Sequence, residues 1–299
     1  MRALNPDQLR AFADVVELGS FSAAAERLHL TQPAVSQQVG QLELKLGVKL
    51  IERSGRKARA SAAGLELLAH VRRIEADMVA ALDAMARHAK GALGRVRIGT
   101  GATACIHLLP PVLRELRRRL PSLEITVTTG HTADMVRLVE ENVLDIGLVT
   151  MPARGRALSV TPLMEDEFVA IASADAPPLP APLTPAVVAA LPIVLYEPGA
   201  QTRRIVDQWL AGLPLRPVME LGSVEAIKEL VGAGLGYGIL PAMAVSSPRS
   251  RGDLVVRSLT PRLARRLALV MRRDKRLPRG AEEVMGALMR LREGAATGE

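Results

Sequence analysis

Residues 9–64 read LRAFADVVELGSFSAAAERLHLTQPAVSQQVGQLELKLGVKLIERSGRKARASAAG, and this stretch decides the N-terminal fold. Three amphipathic segments succeed one another with almost no connection between them. Asn5 precedes Pro6, a capping side chain ahead of a residue suited to the first helical position. Leu9, Phe12, Ala13 and Val16 then share one helical face, and Gly19 stops that helix. Ser20 is placed to cap a second helix, whose stripe is Phe21, Ala24, Ala25 and Leu28. Thr31 is placed to cap a third, with Pro33 in its first turn. Val35, Val39, Leu42 and Leu46 recur there at intervals of four, three and four, so the spacing predicts one core face ending before Gly47.

The residues left off that face carry the functional signal. Gln32, Ser36, Gln37 and Gln41 cannot join the core stripe. Glutamine pairs in bidentate fashion with adenine, and serine contacts most base edges. Pro33 and Ala34 can touch a thymine methyl, while Ser22 and Thr31 stand at the starts of the second and third helices. A polar face on an isolated helix is more often simply solvated. The segment after Leu50 favours the functional reading instead. Arg53, Arg56, Lys57 and Arg59 lie there within seven residues around Ser54 and Gly55, opposed only by Glu52. A basic turn beside such a helix suits phosphates or the minor groove.

With these residues in view, 9–64 resemble the DNA-binding domain of the LysR-type transcriptional regulators. The matching pieces are Phe12, GSFSAAAERL at 19–28, TQPAVSQQVGQLE at 31–43, LGVKL at 46–50, Arg53 and AAG at 62–64. Ile51 stands where the family usually has Phe, and Ser61 where Thr is commoner. Gly40 inside the third helix costs about 1 kcal/mol of helix propensity relative to Ala.

From Ser61 to about residue 89 the pattern is one long helix. Leu67, Val71, Ile74, Met78, Ala81 and Met85 alternate at spacings of four and three, a heptad seam. The seam could pack on its own chain, but it predicts a dimer-forming linker over 61–92. The resemblance implies a homodimer or tetramer.

Beyond Gly94 strands alternate with helices, which predicts an α/β domain with a mainly parallel sheet. Strands are expected at 95–99, 124–129, 144–149, 168–171, 193–196, 237–240 and 267–271. Helices are expected at 102–120, 132–141, 202–210, 224–232 and 281–292, with one short helix within 176–192. RVRIGTGA at 95–102, LLPPVL at 108–113, LDIGLV at 144–149 and VEAIKELVGAGLGYGILP at 224–241 resemble the effector-binding domain of the same family, which shares the type 2 periplasmic-binding-protein fold. The whole is then a winged helix-turn-helix (1–60), a linker helix and a bilobal α/β effector domain (93–299). By that analogy one lobe covers 93–161 with 267–299, and the other 162–266.

Open α/β sheets bind ligands where strand ends enter helix N-termini. Four such turns stand out: TGAT at 100–103, GHT at 130–132, EPGAQTR at 197–203, and Gly222 with Ser223. Thr100, Gly101, Ala102, Thr103, His131, Thr132, Gly199, Gln201, Thr202, Arg203 and Ser223 are therefore the candidate effector residues. They suit a small anionic ligand. Taken singly, each turn is more often a plain helix cap.

Other chemistry is thin. The five histidines, at 29, 70, 88, 107 and 131, lack metal-ligand spacing, and no nucleophile–base grouping is legible. No cofactor is implied. The alternating glycines at 232–238 precede a strand, which is wrong for a dinucleotide fingerprint. Glu165, Asp166 and Glu167 read as a solvated strand start. The single cysteine, Cys105, forbids an intrachain disulfide and reads as a small buried hydrophobe. The 299 residues carry a net charge of +8, which favours polyanionic partners. No leader or membrane span is legible, so the expected place is the cytoplasm. The expected partners are an operator in double-stranded DNA, a small-molecule effector, further copies of the chain and RNA polymerase. The rival reading is a solute-binding protein using the bilobal half alone. Residues 9–64 count against it.

Overall fold

The computed structural model describes residues 4–54, 57–90 and 93–296. The chain divides into two compact units, Met1–Leu82 with Glu141–Val143, and Asp83–Glu140 with Leu144–Glu299.

The first unit holds α1 (Pro6–Leu18), α2 (Phe21–Leu28), α3 (Gln32–Leu46), the antiparallel pair β1 (Ile51–Ser54) and β2 (Lys57–Ala60), and the start of α4 (Ala62–Lys90). Each helix begins where the sequence places a cap. Asn5 accepts from the Asp7 N–H at 2.9 Å, Ser20 from Ala23 at 3.3 Å and Thr31 from Ala34 at 3.4 Å. Gly19 and Gly47 end α1 and α3 at φ of 64° and 72°. Phe12, Val15, Ala24, Val35, Val39 and Leu42 form the core, closed by Leu50 and by Leu68 and Val71 of α4.

Leu46 departs from the predicted stripe and is 38% exposed. After Gly47 the chain returns onto the helix one turn before Leu46, where Glu43 is buried and its Oε1 accepts the N–H groups of Leu50 (2.9 Å) and Ile51 (3.2 Å). The AAG motif has a steric reason as well. A Cβ on Gly64 would stand 2.1 Å from the Leu50 carbonyl oxygen.

The second unit runs β3 (Arg95–Thr100), α5 (Ala102–His107), α6 (Leu109–Arg119), β4 (Glu124–Thr129), α7 (Thr132–Glu140), β5 (Ile146–Thr150), β6 (Leu158–Ser173), α8 (Pro185–Ala189), β7 (Ile193–Tyr196), α9 (Gln201–Trp209), β8 (Met219–Leu221), α10 (Val224–Gly232), β9 (Tyr237–Pro241), α11 (Pro248–Arg251), β10 (Leu254–Ser258), β11 (Ala264–Arg272) and α12 (Arg279–Ala296). The strand order is β4-β3-β5-β11-β6-β9-β7-β8, with β10 also on β6. β3 lies parallel to β4 and β5, and β7 parallel to β8 and β9, while β6 pairs antiparallel with β9, β10 and β11.

Two cores result. Val96, Ile98, Leu109, Leu116, Ile146 and Leu148 fill the first lobe, and Ile171, Val194, Leu195, Val206, Ile227 and Leu240 the second. β6 serves both, giving Leu163 to the first core and 168–172 to the second. The anticipated lobe boundaries at 161/162 and 266/267 fall inside β6 and β11.

Four further expectations need correction. The sheet is not mainly parallel, since half of its strand pairings are antiparallel. The single helix over 102–120 is two, because Pro110 and Pro111 come just after a break at Leu108. The strand expected at 168–171 is 16 residues long, and Asp166 lies buried within it instead of at a solvated start. Cys105 is partly exposed instead of buried.

Candidate functional sites

In the first unit, Ser22, Thr31, Gln32, Pro33, Gln37 and Gln41 are exposed, and Ala34 and Ser36 are partly so. Positions 33, 37, 40 and 44 run as one outward stripe along α3. A Cβ added at Gly40 would meet nothing within 4 Å, and Leu44 is 84% exposed. Gln41 accepts a hydrogen bond from Gln8 Nε2 of α1 at 2.9 Å, which holds its amide while leaving its NH2 able to donate outward.

The basic hairpin is tied to the helices at two points, one on α3 and one at the end of α1. Glu43 grips Leu50 and Ile51, and the Ala58 N–H donates to the Gly19 carbonyl at 2.8 Å. Burial pushes the Glu43 carboxyl up, but Lys49 and the two backbone N–H groups outweigh that and hold it below the usual range. Glu43 is a positioning residue that periodicity alone did not single out. Arg56 lies outside the described residues, as do the side chains of Arg53 and Lys57.

The α4 seam divides. Leu67 and Val71 pack into the winged domain's own core, contrary to their assignment to an outer seam. Ile74, Met78, Ala81 and Met85 are exposed, with Val79 and Leu82 beside them. The helix has 29 residues.

In the second unit, a cavity of about 250 Å³ lies between the two lobes. The first lobe contributes Gly101, Ala102 and Thr103 at the start of α5, and His131 and Thr132 at the start of α7. The second contributes Gln201 and Thr202 at the start of α9, with Tyr196, Glu197 and Gly222. Neither α5 nor α9 has a side-chain cap on its first turn, so backbone donors remain there for a ligand. Thr132 Oγ1 accepts from the Thr150 N–H at 3.3 Å. An adjoining chamber shares His131, Thr132 and Gln201 and adds Gly199, Arg154 and Arg204.

Three anticipated effector residues stand elsewhere. Thr100 is fully buried on a central strand, and its hydroxyl donates to the Leu148 carbonyl at 2.9 Å. Ser223 caps α10 through the Ala226 N–H, so its neighbours Gly222 and Val224 line the cavity instead. Arg203 is turned away and held by Glu220 (2.6 Å), Asp207 (2.8 Å) and the Tyr196 carbonyl (2.6 Å).

The guanidinium in the cavity wall belongs to Arg265, which sequence reasoning missed. Its Nε donates to Asp166 Oδ2 at 2.9 Å, and Asp166 also accepts the Met243 N–H at 3.1 Å. Burial raises the Asp166 carboxyl, against the pull of Arg265. Beside them the Tyr196 hydroxyl is buried without a hydrogen-bond partner among the described residues. Burial pushes its pKa far above the usual tyrosine range, so it stays a proton donor.

Among the described residues, two ion contacts involving histidine cross between the lobes. His131 Nε2 lies 3.6 Å from Glu197 Oε1, and His107 Nε2 lies 2.8 Å from Glu225, which Lys228 also holds at 2.8 Å. No trio of His, Cys, Asp or Glu able to hold a metal occurs among the described residues. No helix there is long and apolar enough to cross a membrane.

Comparison with known proteins agrees with both halves. Residues 6–65 match the bacterial regulatory helix-turn-helix protein, lysR family, and residues 89–292 match the LysR substrate binding domain. The HTH-type transcriptional regulator YeiE of Escherichia coli is 33% identical over 273 residues, 90% of this chain and 92% of that one. The HTH-type transcriptional regulator CbbR of Xanthobacter flavus is 32% identical over 295 residues, 97% of this chain and 88% of that one. Among solved structures, ArgP from Mycobacterium tuberculosis is 28% identical with a TM-score of 0.69, covering 96% of this chain and 98% of that one.

Proposed function

This chain belongs to the LysR family of transcriptional regulators, and on that premise we propose how its two sites divide the work. The protein is a DNA-binding regulator of transcription, not an enzyme. The exposed face of α3, with Gln32, Ser36 and Gln37 near its start, reads base edges in the major groove of an operator. The hairpin after it contacts the phosphates. The cavity between the lobes takes a small effector bearing an acidic or oxyanion group.

One observation carries the effector reading. α5 from one lobe and α9 from the other start at the same cavity, and neither start has a side-chain cap. The partial positive charge of such starts favours anions. An effector shifts the regulator only by binding one arrangement of the lobes better than another. The exposed half of the α4 seam pairs two copies of the chain. The winged domain then covers 1–60, the linker 61–92 and the effector domain 93–299. The regulator works in the cytoplasm, with RNA polymerase as its further partner. The solute-binding alternative leaves the helix-turn-helix match at 6–65 without a role.

Calorimetry against carboxylates, oxyanions and phosphorylated metabolites tests the effector site. Ala102→Trp, which fills the cavity from an exposed position, is expected to abolish the binding seen with wild type while DNA binding persists. Undiminished effector binding by that variant places the site elsewhere.

A further inference from the structure

We propose that the effector of this cavity carries a cationic hydrogen-bond donor as well as its acidic end, so that its class is a small amino-acid-like zwitterion. This rests on reading the cavity as the effector site. The two sides of the cavity make opposite demands.

On one side are donors short of acceptors. The Arg265 side chain is 5% exposed, with Nε committed to Asp166 and Nη2 reaching, among the described residues, only the Met243 sulfur at 3.7 Å, a weak acceptor. The Tyr196 hydroxyl beside it has no partner among the described residues, and Tyr196 is 3% exposed. Buried donors of this kind are costly to leave unmade, and a ligand carboxylate would supply acceptors.

On the other side is a half-exposed carboxylate with room beside it for a ligand donor. Glu197 lines the same cavity, and its ion partner, His131, stands 3.6 Å away, beyond a normal hydrogen bond. The carboxylate lies across Gly222, where a Cβ would sit 2.9 Å from Oε1, so the glycine makes its room. A ligand that is only an anion meets the first demand and brings like charge toward Glu197. A zwitterion meets both. The volume of about 250 Å³ is below the span usual for drug-sized ligands, which keeps the class small.

Calorimetry of the full chain reads this directly. The probes are the proteinogenic L-amino acids and, for each, the carboxylate lacking the amino group. At least one amino acid is expected to bind about ten times or more tighter than its des-amino counterpart, roughly 1.4 kcal/mol. Glu197→Gln, isosteric and at a half-exposed position, is expected to erase that ratio while the des-amino compound binds as before or better. Equal affinity within every pair, a ratio that survives Glu197→Gln, or no binding by any amino acid overturns the proposal. Ala102→Trp separates the two possible failures. If it abolishes carboxylate binding that Glu197→Gln leaves untouched, the cavity is the effector site and only the ammonium is wrong. If it binds every probe as wild type does, the cavity reading itself falls.

Discussion

Two glycines sit in comparable helical sequence and serve opposite ends. Gly40 faces open space on α3, whereas Gly64 lets α4 close onto the Leu50 carbonyl. Gly40→Ala is expected to stabilise the winged domain by about 1 kcal/mol, since only helix propensity changes. Gly64→Ala is expected to cost about 1–3 kcal/mol, because backbone must shift to admit the Cβ. Chemical denaturation of both variants checks the contrast; equal and small effects would show that the α4 start yields freely. Helical spacing treats the two glycines alike, because it records which face a residue is on and not what stands opposite. The same blindness explains the arginines. Arg203 closes a promising turn in sequence, yet Glu220 and Asp207 claim it. Arg265 becomes visible only when β11 is set antiparallel to β6 and meets Asp166. That pairing joins residues 99 apart, which a sequence read locally does not align.

Among the elements, α1, α2 and α3 were legible except for the end of the α3 stripe at Leu46, because caps and stripes act within a few residues. α3 also gives the sharpest test at this scale. Gln37→Ala is expected to lose about 1–3 kcal/mol of discrimination at one base pair, with nonspecific binding unchanged. Binding titrations on operator and unrelated DNA measure it, and an unaltered ratio would remove Gln37 from the reading face. α4 was legible as a helix but not in its division of labour. Its seam starts inside the winged domain with Leu67 and Val71 and emerges by Ile74. Ile74→Glu is therefore expected to lower the assembly mass in light scattering and weaken operator binding, without unfolding the chain. A mass equal to wild type would end the idea of a paired α4. The α5–α6 break and the length of β6 escaped the sequence for different reasons. A double proline can begin a helix as readily as interrupt one, and β6 changes cores midway, so no single alternation runs its length.

At the scale of the whole chain, an acid-sensitive tie holds the first lobe together. Burial pushes the Asp145 carboxyl up, but Arg97 and Lys275 prevail and hold it below the usual range. A carboxyl depressed in the folded state stabilises fully above its unfolded pKa, near about 4, and loses that contribution as pH falls through the folded value. Asp145→Asn is expected to cost about 3 kcal/mol at neutral pH, with the gap to wild type closing below pH of about 4. Thermal melts across that range decide it, and a gap independent of pH would show that the charge is not what matters.

The last consequence belongs to β6 and β11. They run antiparallel through both lobes, and their register slips at Leu267/Ala268 so that Leu163 has no opposite number. Such an extra residue bends and overtwists a two-stranded ribbon. A ribbon of this kind resists stretching, because its length is set by covalent backbone, but yields in torsion. Motion of one lobe on the other therefore goes through bending and twisting of this ribbon, and whatever settles between them is read out as an angle.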